Sequence, residues 1–173
     1  TESNLPMAYV NLVGGQDELV FDGGSFVLSA DRELQIQMPT FSATQITTQW
    51  SKSDRGWVCA PGEIEPVREK TEQMLAAIYQ AMVLGLRDYV TKNNFPGVIL
   101  GLSGGIDSGL SAAVAVDAIG AEKVHCVMMP SPYTSQDSLD DAGEQAGILG
   151  ITFDTVPILE AMKAFEGMLA PVF

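Results

Sequence analysis

Val98-Ile99-Leu100-Gly101-Leu102-Ser103-Gly104-Gly105-Ile106-Asp107-Ser108 is the stretch on which the reading of this chain turns. An apolar run ends in a glycine-rich turn, and the turn opens a segment with helical spacing. A strand that stops where a helix starts gathers backbone N–H groups and the positive end of the helix dipole at one point, a geometry that holds phosphate oxygens. Gly104 and Gly105 let the backbone turn tightly and approach an anion, and the Ser103 and Ser108 hydroxyls are further donors. The turn lacks the lysine of a GxxxxGK[ST] loop, and the nearest lysines, Lys92 and Lys123, fall outside it. Asp107 is therefore better cast as a Mg²⁺ ligand that brings in positive charge with a nucleotide. The spacing is not GxGxxG either, which counts against a dinucleotide fold of the dehydrogenase kind. A strand-to-helix turn with no ligand is the plain alternative.

Outward from this turn the order is regular. A helix over Ser108–Ile119, a strand over Val124–Met129, a helix over Ser138–Leu149, a strand over Ile151–Val156 and a helix from about Ile158 follow it. Upstream, Leu75, Ile78, Tyr79, Met82, Leu86, Tyr89 and Val90 have the three-and-four spacing of an amphipathic helix that stops before Asn93-Asn94-Phe95-Pro96-Gly97. Strands alternating with helices imply parallel pairing by right-handed crossovers, hence an open α/β sheet with flanking helices, here three strands wide. The loop Met129-Pro130-Ser131-Pro132-Tyr133-Thr134-Ser135-Gln136-Asp137-Ser138 lies at the carboxyl end of the second strand, the edge where open parallel sheets bind ligands. From its residues alone it reads as the start of a helix capped by Ser135 or Asp137.

Residues 1–50 differ in kind. Ala8–Val13, Leu19–Phe21, Ser25–Leu28 and Leu34–Met38 alternate apolar and polar positions, which predicts four short strands, with Asp22-Gly23-Gly24 as a tight turn. Four short strands make a poor independent domain, so they read as the remnant of a larger sandwich. Residues 51–65, polar and rich in turn formers, read as a linker, and 66–173 as the α/β domain. Asp17, Glu18 and Asp22 read as solvated turn acids, and Met128, Met129, Met162 and Met168 as core filler.

Composition bounds the function. Nine Lys and Arg against 22 Asp and Glu leave a net charge of −13, which repels nucleic acid and anionic membrane at long range. An anionic ligand must then be held by local dipoles or a metal. No run approaches the about 18 apolar residues of a membrane span. Cys59 and Cys126 are too few for a disulfide framework and read as reduced thiols of a cytoplasmic protein. His125, the only histidine, has no metal-spaced partner and reads as a core or sheet-edge residue.

Ser103-Gly104-Gly105-Ile106-Asp107-Ser108, with these flanks, resembles the pyrophosphate-binding PP-loop of the N-type ATP pyrophosphatases, ligases that split ATP between its α and β phosphates. The Met129–Ala142 loop, Tyr79–Val90 and Val13–Ser25, in that family's order, narrow the resemblance to glutamine-dependent NAD⁺ synthetases. The resemblance implies an adenine nucleotide alpha-hydrolase-like domain preceded by the last strands of a nitrilase-like glutaminase domain. It implies ATP-dependent amidation of nicotinic acid adenine dinucleotide to NAD⁺ through an adenylate, with pyrophosphate released and ammonia taken from glutamine. ATP and Mg²⁺ are the implied cofactors and a homo-oligomer the implied full-length state. Carried over by position, Gly101, Leu102, Ser103, Gly104, Gly105, Ile106, Asp107 and Ser108 would hold ATP phosphates, Asp107 would bind Mg²⁺, and Met129 with Leu102 would lie near adenine. The family's glutaminase Cys, Glu and Lys lie upstream of the segment that matches, so Cys59 is not that nucleophile, and no catalytic residue is assigned here. The chain thus looks like a fragment without turnover of its own. Another N-type pyrophosphatase ligase, or a non-catalytic nucleotide-binding module on the same fold, is the alternative.

Overall fold

The computed structural model describes residues 4–54, 56–62 and 70–172, with side chains from residue 74 onward in the last of these. The chain divides into two compact units, Thr1–Tyr89 and Val90–Phe173.

The first unit is β-rich and ends in a helix. Strands β1 (Met7–Tyr9), β4 (Phe26–Leu28) and β5 (Leu34–Gln37) form an antiparallel sheet in the order β1-β4-β5. Strands β2 (Val13–Gln16) and β3 (Leu19–Asp22) form one hairpin, β6 (Trp50–Ser53) and β7 (Gly56–Cys59) another. Alternation turns the middle residue of β4 and the third of β5 inward: Val27 faces Ile36 across the β4–β5 pair, and both are buried with Cys59 beneath Met38 and Trp50. The run Ala8–Val13, expected as one strand, is broken between β1 and β2. Asn11 diverts it: its backbone N–H donates to Ser25 Oγ at 2.9 Å and its side-chain amide to the Gly23 carbonyl at 2.9 Å. Local side-chain bonds of this kind compete with a strand ladder.

Residues 51–65, read as a linker, include most of the β6–β7 hairpin. Their polar residues lie on its exposed side while Cys59 enters the core, and the Gly62 N–H donates to the Gln35 carbonyl at 3.1 Å. Residues 63–66, where the expected linker gives way to the α/β domain, lie outside the described residues. Helix α1 (Lys70–Lys92) follows, with Leu84 and Val90 buried.

The second unit is the predicted α/β arrangement. Strands β8 (Val98–Gly101), β9 (Val124–Met128) and β10 (Thr152–Thr155) pair in parallel in the order β10-β9-β8. Helices α2 (Ile106–Ile119) and α3 (Gln136–Leu149) form the two crossovers, and α4 (Leu159–Leu169) follows β10. Val124, Cys126 and Met128 point to one face of the central strand and are buried with Ala112, Ala115 and Ala118 of α2 and Ala142 and Ala146 of α3. Small residues on both helices let them approach the sheet closely, which is how a short α/β unit fills its interior without voids. Met128 is the buried one among the methionines expected as core. Met129, one residue past the strand end, is 53% exposed, and Met168, on a helix with no buried residue, is 70% exposed. Among the described residues, no helix is long and apolar enough to cross a membrane.

Candidate functional site

β8 delivers the chain to the carboxyl edge of the sheet, where the Leu102 N–H still donates to the Val127 carbonyl of β9 at 3.0 Å. Leu102 is buried, so the backbone beyond it leaves the sheet from an anchored point. Gly104 then takes φ +81°, the left-handed region that glycine adopts without steric cost. It is also pressed against the start of α3: a Cβ there would sit 2.3 Å from the Ser138 carbonyl oxygen. Gly105, in extended conformation, is the N-cap of α2 and offers no capping side chain.

The two loop serines organise this turn. Ser108 Oγ accepts from the Ser103 N–H at 3.2 Å, lies 3.0 Å from Ser103 Oγ and donates to the Gly105 carbonyl at 3.0 Å. Ser103 Oγ accepts from the Gly105 N–H at 3.3 Å. Both hydroxyls and both amides therefore lie on one small, exposed patch at the positive end of α2. Hydroxyls can turn their protons toward an anion, and a helix start carries partial positive charge, so the patch has the chemistry to accept negative oxygen without any basic side chain.

Beside it is a cleft of about 240 Å³ lined by Gly101, Leu102, Ser103, Val127, Met128, Met129 and Thr134. Of the residues singled out in the sequence, Gly101, Leu102, Ser103 and Met129 meet here, with Met129 Cε 3.4 Å from where a Gly101 Cβ would be. Gly104, Gly105 and Ser108 belong to the adjoining turn. Ile106 and Asp107 are exposed on the first turn of α2 and do not line the cleft. Asp107 adds negative charge there, and among the described residues no three His, Cys, Asp or Glu side chains are grouped to hold a metal. One exposed carboxylate fits Mg²⁺ only when phosphate oxygens complete its shell, the usual mode for that ion.

Thr134 was not singled out by its sequence. It belongs to a tight turn in which the Ser131 N–H donates to Thr134 Oγ1 at 2.9 Å and the Thr134 N–H to the Ser131 carbonyl at 3.1 Å. The signal for it was positional, a hydroxyl residue on the carboxyl-edge loop. Of the two capping candidates, Ser135 is the N-cap of α3, accepting from the Ser138 N–H at 3.2 Å. The same edge is tied to the chain after β10, because the Val156 and Ile158 N–H groups donate to the Met128 and Pro130 carbonyls at 2.8 and 3.0 Å.

Other candidates lie elsewhere. His125 is neither core nor sheet edge: it is partly exposed on the central strand, with Nε2 2.8 Å from Asp154 Oδ2 on β10. Cys126 is fully buried, and desolvation pushes its thiol pKa up, which disfavours the thiolate a nucleophile needs. Cys59 is buried in the first unit. Asp17 and Glu18 form the turn of the β2–β3 hairpin, and Asp22 accepts from the Asn11 side-chain amide at 3.1 Å.

Comparison with known proteins agrees with this fold. The family model for NAD synthase matches residues 78–172. A glutamine-dependent NAD(+) synthetase of Rhodobacter capsulatus is 48% identical over 171 residues, 99% of this chain and 30% of that protein. The structure of the glutamine-dependent NAD+ synthetase from Acinetobacter baumannii, in complex with ADP, superposes with a TM-score of 0.88 at 46% identity over 98% of this chain and 31% of its own. The NMN synthetase of Francisella tularensis aligns over 55% of this chain and 39% of its own with a TM-score of 0.51 at 29% identity. The chain spans about 30% of the length of the curated relatives it matches. With its parallel β8–β10 sheet, its glycine-serine turn at the carboxyl edge and a family match over residues 78–172, the chain belongs to the NAD synthase family.

Proposed function

We propose that these residues are part of a glutamine-dependent NAD⁺ synthetase and contain its ATP pyrophosphate-binding turn. The observation that carries this reading is the patch formed by Ser103, Gly105 and Ser108 at the end of β8 and the start of α2. In the proposed reaction the carboxylate of nicotinic acid adenine dinucleotide attacks the α-phosphorus of ATP, pyrophosphate leaves, and ammonia from glutamine displaces AMP from the adenylate. A carboxylate is already a nucleophile at neutral pH, so the first step needs alignment and stabilisation of phosphate charge more than a general base. The turn supplies both. The two serine hydroxyls, held in place by the Ser103 and Gly105 N–H groups that donate to them, would face the departing pyrophosphate, and Gly101, Leu102, Gly104 and Ile106 shape the backbone that holds them.

Leu102 and Met129 would flank adenine in the adjoining cleft, whose wall they form with Thr134. Asp107 would hold Mg²⁺ together with phosphate oxygens, and the ion would supply positive charge that the turn's own side chains lack. Residues 1–50 would be the end of a nitrilase-like glutaminase domain, 51–65 a connection, and 66–173 the start of the synthetase domain, in a cytoplasmic homo-oligomer. The test is an assay of the full-length protein carrying this chain, following NAD⁺ and pyrophosphate together. The two products should form one for one, and only when nicotinic acid adenine dinucleotide, ATP and a nitrogen source are all present. ATP cleavage to ADP, or pyrophosphate release without the dinucleotide, would refute the reading.

A further inference from the structure

In the first unit a hydrogen bond joins residues far apart in sequence: the Gly15 N–H of β2 donates to Asp88 Oδ2 of α1 at 2.8 Å. The Asp88 side chain is largely covered, and its other oxygen lies 3.7 Å from Arg87 Nε. Around this bond the backbones nearly touch. A Cβ on Gly15 would sit 3.1 Å from Gly85 Cα and 3.3 Å from Asp88 Cβ, and a Cβ on Gly85 would sit 3.2 Å from Val20 Cγ2 of β3. Glycine at both positions lets the hairpin lie directly on the helix, and the carboxylate pegs it at one height. A slip of one helical turn moves the helix surface by about 5.4 Å and breaks the peg. Bonds to an ionised acceptor are about twice as strong as neutral ones, so the register is well held. Helix α1 then runs past Tyr89 to Lys92, and residues 93–97 lead to β8 and the phosphate-binding turn.

We propose that Asp88, through the Gly15 amide, is a positioning residue that couples the β2–β3 hairpin to α1 and so joins glutamine-derived ammonia supply to the ATP-dependent step. The inference rests on the proposed function, in which the hairpin ends the glutaminase part and α1 opens the synthetase part. A contact that only stabilised the fold would affect both nitrogen sources alike. A coupling contact affects glutamine use alone, because free ammonia needs no relation between the two parts.

The experiment measures NAD⁺ formation by the full-length protein with saturating glutamine and, separately, with ammonium chloride, for wild type, Asp88→Ala, Asp88→Asn and Gly85→Ala. Asp88→Ala should lower the glutamine-to-ammonium rate ratio by about tenfold, the size of a typical coupling between sites. Asp88→Asn, whose amide oxygen still accepts from Gly15, should recover part of that loss. Gly85→Ala keeps both hydrogen-bonding groups and crowds Val20, so it should lower the ratio even if Asp88→Ala fails to fold. An unchanged ratio in Gly85→Ala and in the folded Asp88 variants, including an equal fall with both nitrogen sources, overturns the coupling. If wild type makes NAD⁺ from neither nitrogen source, it is the proposed function that fails, and this inference fails with it; if it uses glutamine alone, the inference is overturned at its premise that free ammonia needs no relation between the two parts.

Discussion

Replacing Gly104 by alanine tests the proposed phosphate-binding turn at its tightest point. Two penalties act on one methyl group. Its φ of +81° puts a Cβ in the left-handed region, at about 1 to 2 kcal/mol. The methyl would also lie 2.3 Å from the Ser138 carbonyl oxygen and 2.9 Å from Ser138 Cα. These are backbone atoms at the start of α3 and cannot swing aside, and overpacking of this kind costs about 1 to 3 kcal/mol. Together the cost is about 2 to 5 kcal/mol, a large part of the stability of an ordinary domain. Gly104→Ala should therefore lower the midpoint of denaturant unfolding. Because relief requires α3 and the turn to separate, it should also weaken MgATP binding by calorimetry at least about tenfold in the fraction that stays folded. Gly143→Ala is the control: it lies on α3 with nothing within 4 Å of an added Cβ, and alanine in a helix gains about 0.5 to 1 kcal/mol over glycine. If Gly104→Ala unfolds and binds MgATP like wild type, the close packing of the turn against Ser138 is not what shapes the site.

Ser108→Ala removes the hydroxyl that links the Ser103 N–H and the Gly105 carbonyl; calorimetry should show ATP affinity falling about two- to tenfold with little change in melting temperature. Asp107→Asn should abolish the gain in nucleotide affinity that Mg²⁺ provides while leaving metal-free binding equal or tighter, since an exposed negative charge is lost beside phosphate; a retained Mg²⁺ dependence would remove Asp107 as ligand. Ser135→Ala removes the N-cap of α3 and should cost about 1 kcal/mol in chemical denaturation. Burial raises the Cys126 pKa above its ordinary 9.0. The folded state thus holds the thiol proton more tightly than the unfolded one, and its contribution, complete below pH 9.0, is lost as pH rises through the raised value. Unfolding measured from pH 8 to 10.5 should show a steeper alkaline loss in wild type than in Cys126→Ala, and equal slopes would contradict it.

The α/β half was legible because its signals are local. Apolar Val98-Ile99-Leu100 and Val124–Met128 mark strands, and the three helices after β8 begin within two residues of their expected starts, at Ile106, Gln136 and Leu159. The β-rich half was less so. Strands of three or four residues carry little periodicity, and the break at Asn11 depends on bonds to Gly23 and Ser25 that no spacing announces. The β6–β7 hairpin reads as linker because Ser51-Lys52-Ser53 and the turn after it are polar, and only the Trp50–Cys59 pair at its open end joins the core.

By itself the sequence determined that a glycine-serine turn stands between a strand and a helix, that the strands around it run parallel, and hence which edge of the sheet carries that turn. Those properties follow from near neighbours, through φ freedom at Gly104, the cap at Ser135 and the alternation along β9. Only the tertiary structure decided that Gly104 touches Ser138, that Met129 and Thr134 turn toward the same cleft as Leu102, that His125 pairs with Asp154, and that Gly15 is pegged to Asp88. Periodicity says which face of an element a residue occupies. Which distant residue meets that face is set by packing between elements, an energy shared among many contacts and written in no single stretch of chain.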